Sequence, residues 1–184
     1  MPGRDLTKVF DTVQGLGTLS LQITDPGVHT VRLFLDLEVD QRFSTWFNEY
    51  GGTSGTPATG QSWEIDEPGW KYGDIYSNFE NGTLDNKNGV PITATDDVSY
   101  ALSWIFTVGQ NETANVYFQT SRDQLSPFYL VQTDPYSDAN VYFSSSLQIS
   151  GNGVPDGGAT CAMLSMALAG LFGWNKKMNN GVKM

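Results

Sequence analysis

Apolar residues along most of this chain alternate with polar ones, the period of two that belongs to half-buried strands. In "TLSLQIT", Leu19, Leu21 and Ile23 alternate with polar neighbours, and "DPG" at Asp25 to Gly27 supplies a turn. "HTVRLFLDLEVDQ" predicts a long strand with Val31, Leu33, Leu35, Leu37 and Val39 on one face. Arg32, Phe34, Asp36, Glu38 and Asp40 then share the other face. "GGTSGTPATG" reads as a loop, and the short strand "SWEID" after it is stopped by "EPG". "GDIYSNFENGTLDN" breaks the alternation: the spacing of Ile75 and Phe79 fits a helix of about two turns that Gly82 can end. "VSYALSWIFTV", "TANVYFQT", "FYLVQT" and "NVYFSSSLQI" are four more strands, separated by Gly, Asn, Asp and Pro clusters. About seven short strands with turn chemistry between them predict an all-β fold. The expected architecture is an antiparallel β-sandwich of jelly-roll or Ig-like type over residues 1–150.

The alternation stops at "SGNGVPDGG", so residues 151–158 read as a flexible linker. Beyond it, Ala159 to Trp174 carries no charge and is apolar on every helical face, which excludes a surface amphipathic helix. At 1.5 Å per residue this stretch spans about 24 Å, against about 30 Å for a bilayer's hydrocarbon core. Trp174 at the interface and snorkelling Lys176 and Lys177 extend its reach. Residues 159–175 are therefore expected to form a C-terminal hydrophobic transmembrane helix, and 176–184 a basic cytoplasmic tail, which places the acidic body outside. The competing reading is the last core helix of a soluble α+β domain. The length of the run, its position after the body and the glycine-rich linker favour lipid.

Charge divides the chain at the same place. The net charge is −10, yet residues 1–153 hold 19 acidic and 7 basic side chains, and 154–184 hold 1 and 3. The body repels a phosphate backbone, so no nucleic-acid partner is expected. A single cysteine, Cys161, excludes an intramolecular disulfide and a Cys-based zinc site. The opening "MPGRDLTKVFDTVQGLG" lacks the continuous apolar region of a signal peptide.

The order "VPDGG", apolar helix, basic end resembles the C-terminal sorting tails of the PEP-CTERM type, in their Val-Pro-Asp-Ser-Gly (VPDSG-CTERM) variant. Gly157 stands where that variant has serine. The resemblance implies export, transient anchoring in the inner membrane by the helix, and processing by an exosortase-type membrane enzyme that recognises Val154, Pro155, Asp156, Gly157 and Gly158. It also implies a final location at the cell surface or in the extracellular matrix. The body, from "GTSGTPATGQSWEIDEPG" through "FYLVQTDP", is similar to a group of proteins that carry such tails, and nothing catalytic is implied. The basic end departs from the type, with "NKKMNNGVKM" in place of several arginines.

Candidate chemistry in the body is sparse. His29, the sole histidine, opens a strand, and no GxSxG elbow accompanies it. In "WEIDEPG", Glu64 and Asp66 share a strand face while Glu67 points away, so Glu64 as nucleophile and Glu67 as acid do not form a glycosidase pair. No catalytic activity is expected. Asp36, Glu38 and Asp40 form an acidic row whose repulsion calcium would relieve, against the plainer reading of a solvated face; no other cofactor is implied. "DDVS" at Asp96 and "TDPYSD" at Asp134 are further calcium candidates on loops. The alternative function is a carbohydrate-binding sandwich or glycosidase acting on extracellular polysaccharide, with sugar rings stacked on exposed members of Trp46, Trp63, Trp70 and Trp104.

Overall fold

The computed structural model describes residues 4–11, 14–39, 47–69 and 73–151. Among these residues there are nine strands and one short helix: β1 Arg4–Asp11, β2 Leu16–Ile23, β3 Gly27–Asp36, β4 Tyr50–Ser54, β5 Gln61–Asp66, α1 Ile75–Asn81, β6 Ser99–Val108, β7 Glu112–Ser121, β8 Tyr129–Asp134 and β9 Ala139–Gly151. Six strands form one sheet in the order β1-β2-β7-β9-β8-β4, and three form another in the order β3-β6-β5. The recorded pairings between named strands are antiparallel.

One core joins the two sheets. The larger sheet contributes Ile23, Val116, Phe118, Leu130 and Phe143, and the smaller Ile65, Tyr100, Leu102 and Trp104. Phe143 stacks on Tyr100 with ring centroids 5.2 Å apart and on Phe118 at 6.2 Å. Strand alternation produces this directly: on β6, Tyr100, Leu102, Trp104, Phe106 and Val108 are buried, while Ile105 and Thr107 between them are exposed. Each large side chain removed from water contributes about 1.5–3 kcal/mol.

The opposite face of the smaller sheet is covered over part of its length by α1. Ile75 and Leu84 pack on Ala101, with Phe34 and Phe79 beside them. This is why Ala101 is buried although it faces away from the main core. Gly82 ends the helix in the left-handed conformation, φ 73°, as its position predicts. Arg32 of β3 donates to the carbonyls of Phe79 and Glu80, placing a cation at the negative end of the helix.

One side of the sandwich is sealed by residues 86–90, which bond to an edge strand of each sheet. Gly51 N–H of β4 donates to Val90 O at 2.7 Å, and Asn88 Nδ2 donates to Gly51 O at 2.8 Å. On β5, Ile65 N–H donates to Lys87 O at 3.0 Å and Ile65 O accepts from Gly89 N–H at 2.8 Å. Gly51 is needed at this seam, because a Cβ there would stand 2.4 Å from Ile65 Cγ2. Gly51→Ala is expected to destabilise the full chain by about 1–3 kcal/mol through overpacking, read as a lower denaturant midpoint.

Three expectations need correction or placement. β4 lies partly within the glycine-rich segment read as a loop, because the seam favours residues without side chains there. The strand expected to run through Asp40 stops at Asp36, where the chain leaves the ladder and Leu37 O turns to meet Gln132. The expected C-terminal helix falls on residues 159–175, outside the described residues. Among the described residues no helix is long and apolar enough to cross a membrane.

Candidate functional site

Two groups of carboxylates gather on this scaffold. The first is built on β5. Ile65 points into the core, so Glu64 and Asp66 turn outward together, under the start of α1 and the 85–89 segment. Glu64 is 2% exposed; its Oε1 accepts from Asn78 Nδ2 at 3.0 Å and its Oε2 from Asp85 N–H at 3.1 Å. Asp66 Oδ2 accepts from Asp74 N–H at 2.8 Å. Ligand oxygens of Glu64, Asp66 and Asp74 lie within 4.8 Å of one another, beside a pocket of about 130 Å³ that Asp85, Lys87 and Asn88 also line. Lys87 pairs with Asp85 at 2.6 Å.

Burial raises the Glu64 carboxyl to about 7, the charges of Asp85 and Asp74 add to the rise, and the two hydrogen bonds oppose it. Burial raises Asp66 as well. The donor set consists of oxygens, which suits a proton or a hard cation. Both Glu64 oxygens already have partners, so the cluster is accounted for without an ion. Glu67 does not line this pocket, and its Oε2 is buried without a partner, consistent with opposite faces for Glu64 and Glu67.

The second group lies where β3 ends. Asp36 is the last residue of the strand, Glu38 follows two positions later off the ladder, and Asp40 lies outside the described residues. The expected row on one strand face is therefore not what unites these acids. The fold sets Glu38 within electrostatic reach of Asp36, Asp134 and Glu49, and Asp97 within reach of Asp36, Glu38, Glu67 and Asp96. Glu49, 3% exposed, accepts from Val39 N–H at 3.2 Å through Oε1 and from Gln132 Nε2 through Oε2. Burial lifts Glu49 to about 7, with Glu38 and Asp97 adding repulsion against the pull of its hydrogen bonds. Asp97 rises to about 6, again chiefly through burial.

Loop positions at Asp96 and Asp134 were legible as acidic candidates, and the fold brings them to this end. Glu49 and Gln132 were not, since neither stands in an acidic run or a repeating pattern.

His29 is engaged elsewhere: its Nε2 bonds the Asp25 carbonyl at 2.7 Å and its ring lies beside Phe106. Of the tryptophans named as sugar platforms, Trp104 is buried with Nε1 donating to Ser145 Oγ at 2.9 Å, and Trp63 packs on the core against Phe128. Trp46 and Trp70 lie outside the described residues, as do the sorting-motif residues Val154, Pro155, Asp156, Gly157 and Gly158 and the flanking Trp174, Lys176 and Lys177.

The last described strand, β9, ends at Gly151, and residues 153–178 match the family described as VPDSG-CTERM motif. The chain carries a VPDSG-CTERM motif. This motif is a variant of the PEP-CTERM-type sorting signal, and it marks an exported, surface-directed protein with a sorting tag. The VPDSG-CTERM match spans the proline-containing cluster, the apolar run and the first basic residues together. The chain matches no curated protein and no solved structure.

Proposed function

We propose that the β-sandwich is a non-catalytic cargo domain, delivered to the cell surface or extracellular matrix by a sorting segment that an exosortase-type membrane enzyme recognises at Val154 to Gly158. Residues 159–175 hold the chain in the inner membrane as a hydrophobic helix, with Trp174 at the interface and Lys176 and Lys177 on the cytoplasmic side. The VPDSG-CTERM match at residues 153–178 carries this reading. The lysines after the apolar run support it, since Lys176, Lys177 and Lys183 mark the cytoplasmic side by the positive-inside rule and leave the body on the other.

The test is to express the full chain behind an export signal in hosts with and without an exosortase, and to map its C-terminus by mass spectrometry. Loss of the residues after the motif is expected only where the enzyme is present. Retention of residues 159–184 in both hosts overturns the proposal.

A further inference from the structure

The outer face of the larger sheet differs in character from the rest of this acidic chain. Cross-strand partners share a face, so the register sets Ser20 with Tyr117, Gln22 with Asn115, and Val131 with both Tyr142 and Gly52 on the side away from the core. Along β2, β7, β9, β8 and β4, the positions on that side carry mainly hydroxyls, amides and the tyrosines Tyr50, Tyr117, Tyr129 and Tyr142. None of them is Asp, Glu, Lys or Arg, in a chain whose net charge is −10. Charge returns at the rim, with Asp5 and Asp11 on β1 and Arg122 and Asp123 after β7.

Tyr129 and Tyr142 stand edge to face on this side, with ring centroids 5.3 Å apart. On its flanks the polar groups hold one another: Thr133 Oγ1 donates to Asn140 Oδ1 at 2.5 Å, and Gln22 Nε2 to Asn115 Oδ1 at 3.1 Å. Between these pairs, β7 and β9 frame a shallow depression of about 60 Å³, lined by Tyr117, Gln119, Ser126 and Ser144 to Ser146. The side chains of Tyr117, Gln119, Tyr142 and Ser146 make no hydrogen bond to a described residue, and Gln119 and Ser146 are exposed.

We infer that this face binds a neutral polysaccharide, laid across β7, β9 and β8 with its rings on Tyr117, Tyr142 and Tyr129 and its hydroxyls on Gln119 and Ser146. The chemistry of the face separates the classes of partner. A phosphate backbone or an acidic glycan needs cations, and these strand positions hold none. A protein partner needs an apolar centre that excludes water, whereas here rings are interspersed with amides and hydroxyls. A neutral glycan presents hydroxyls that donate and accept, as amide and hydroxyl side chains do, and C–H faces that lie on aromatic rings. The depression is far below the roughly 300–1,000 Å³ of pockets that enclose a ligand, so it takes a side group while the sugar chain lies along the sheet. The tryptophans expected as sugar platforms do not share this face, since Trp63 and Trp104 belong to the smaller sheet. The inference goes beyond the sorting reading and does not rest on it.

Affinity electrophoresis of the full chain, in a sugar-free non-ionic detergent, tests it in native gels containing hydroxyethylcellulose, laminarin or galactomannan, with alginate as the acidic comparison. Retardation by at least one of the three neutral glycans is expected, and none by alginate. Tyr117→Ala and Tyr142→Ala each weaken binding about tenfold through the lost ring contact. Gln119→Ala changes an exposed side chain that folding does not need and weakens binding about fivefold, the worth of about one hydrogen bond. Ile105→Ala, on the smaller sheet, leaves retardation unchanged. Denaturant midpoints confirm that each variant is folded, and Gln119→Ala reads the site even where a tyrosine variant is not. No retardation by any of the three neutral glycans overturns the inference. So does retardation by alginate alone, or retardation that Gln119→Ala and the folded tyrosine variants leave intact.

Discussion

Truncating Phe143 to alanine is expected to lower the stability of the sandwich by about 3–5 kcal/mol, the usual cost of deleting a buried aromatic ring. Phe143 is fully buried on β9 and stacks on Tyr100 of the opposite sheet and Phe118 of its own, so one ring contacts both layers. The surrounding side chains come from strands locked by two ladders, which limits how far they can collapse into the space left. Chemical denaturation of the full chain reads the effect as a lower midpoint with unchanged slope. Ile105→Ala is the control: its side chain is 51% exposed on the outer face of β6, and a change within about 0.5 kcal/mol is expected. Equal losses for the two variants would mean that the sheets are not joined through Phe143.

The second large effect is on pH. Glu49 and Glu64 both titrate at about 7 in the folded chain, against 4.5 for an ordinary glutamate. Between these values the folded state holds protons that the unfolded state has released, so stability falls as pH rises. Their favourable contribution is fully present below about pH 4.5 and is lost through about pH 7, on the order of 2 kcal/mol for each group. Asp97, raised to about 6, acts with the same sign. Glutamine at either position is well accommodated. At 64 it accepts from the Asp85 N–H and donates to a turned Asn78 amide; at 49 it accepts from Val39 N–H and donates to Gln132 Oε1, which now lacks a partner. Each substitution is therefore expected to flatten the profile between pH 4.5 and 7 and to raise stability at pH 8, measured by denaturant midpoints in calcium-free buffer. A profile unchanged in both variants would show that these carboxyls do not titrate in that window.

Legibility in the sequence tracked the physical signal. β2, β3, β6, β7 and β9 were legible because their main apolar residues recur every second position toward the core between the sheets, although α1 also buries Ala101 on the other face of β6. The seven-residue helix was legible from Ile75, Phe79 and the terminating Gly82, since these residues pack or cap it. β1 is different: "RDLTKVFD" shows no clean alternation, and Val9 within it is exposed. β4 was hidden by Gly51 and Gly52: a side chain at Gly51 would collide with Ile65 across the seam and one at Gly52 would crowd Val131 of β8, so neither position carries a strand signature.

The acidic groups were legible only piecemeal. Asp36, Glu38 and Asp134 stand out as acids, but what makes their end of the sandwich distinctive is Glu49 and Gln132, which a linear reading has no reason to join to them. The sorting segment was the most legible part, because its signal is the linear order of a turn cluster, an apolar run and lysines. Such an order requires no partner elsewhere in the chain.

The position of β9 has a mechanical consequence. This strand, 13 residues long, lies between β7 and β8, and the matched segment begins two residues beyond it. Tension applied through the tail enters the sheet along an interior strand and must pass to its first half, Ala139–Ser144, which is paired with β8 as well as flanked by β7. Extraction there must rupture two ladders, whereas an edge strand would unzip from one.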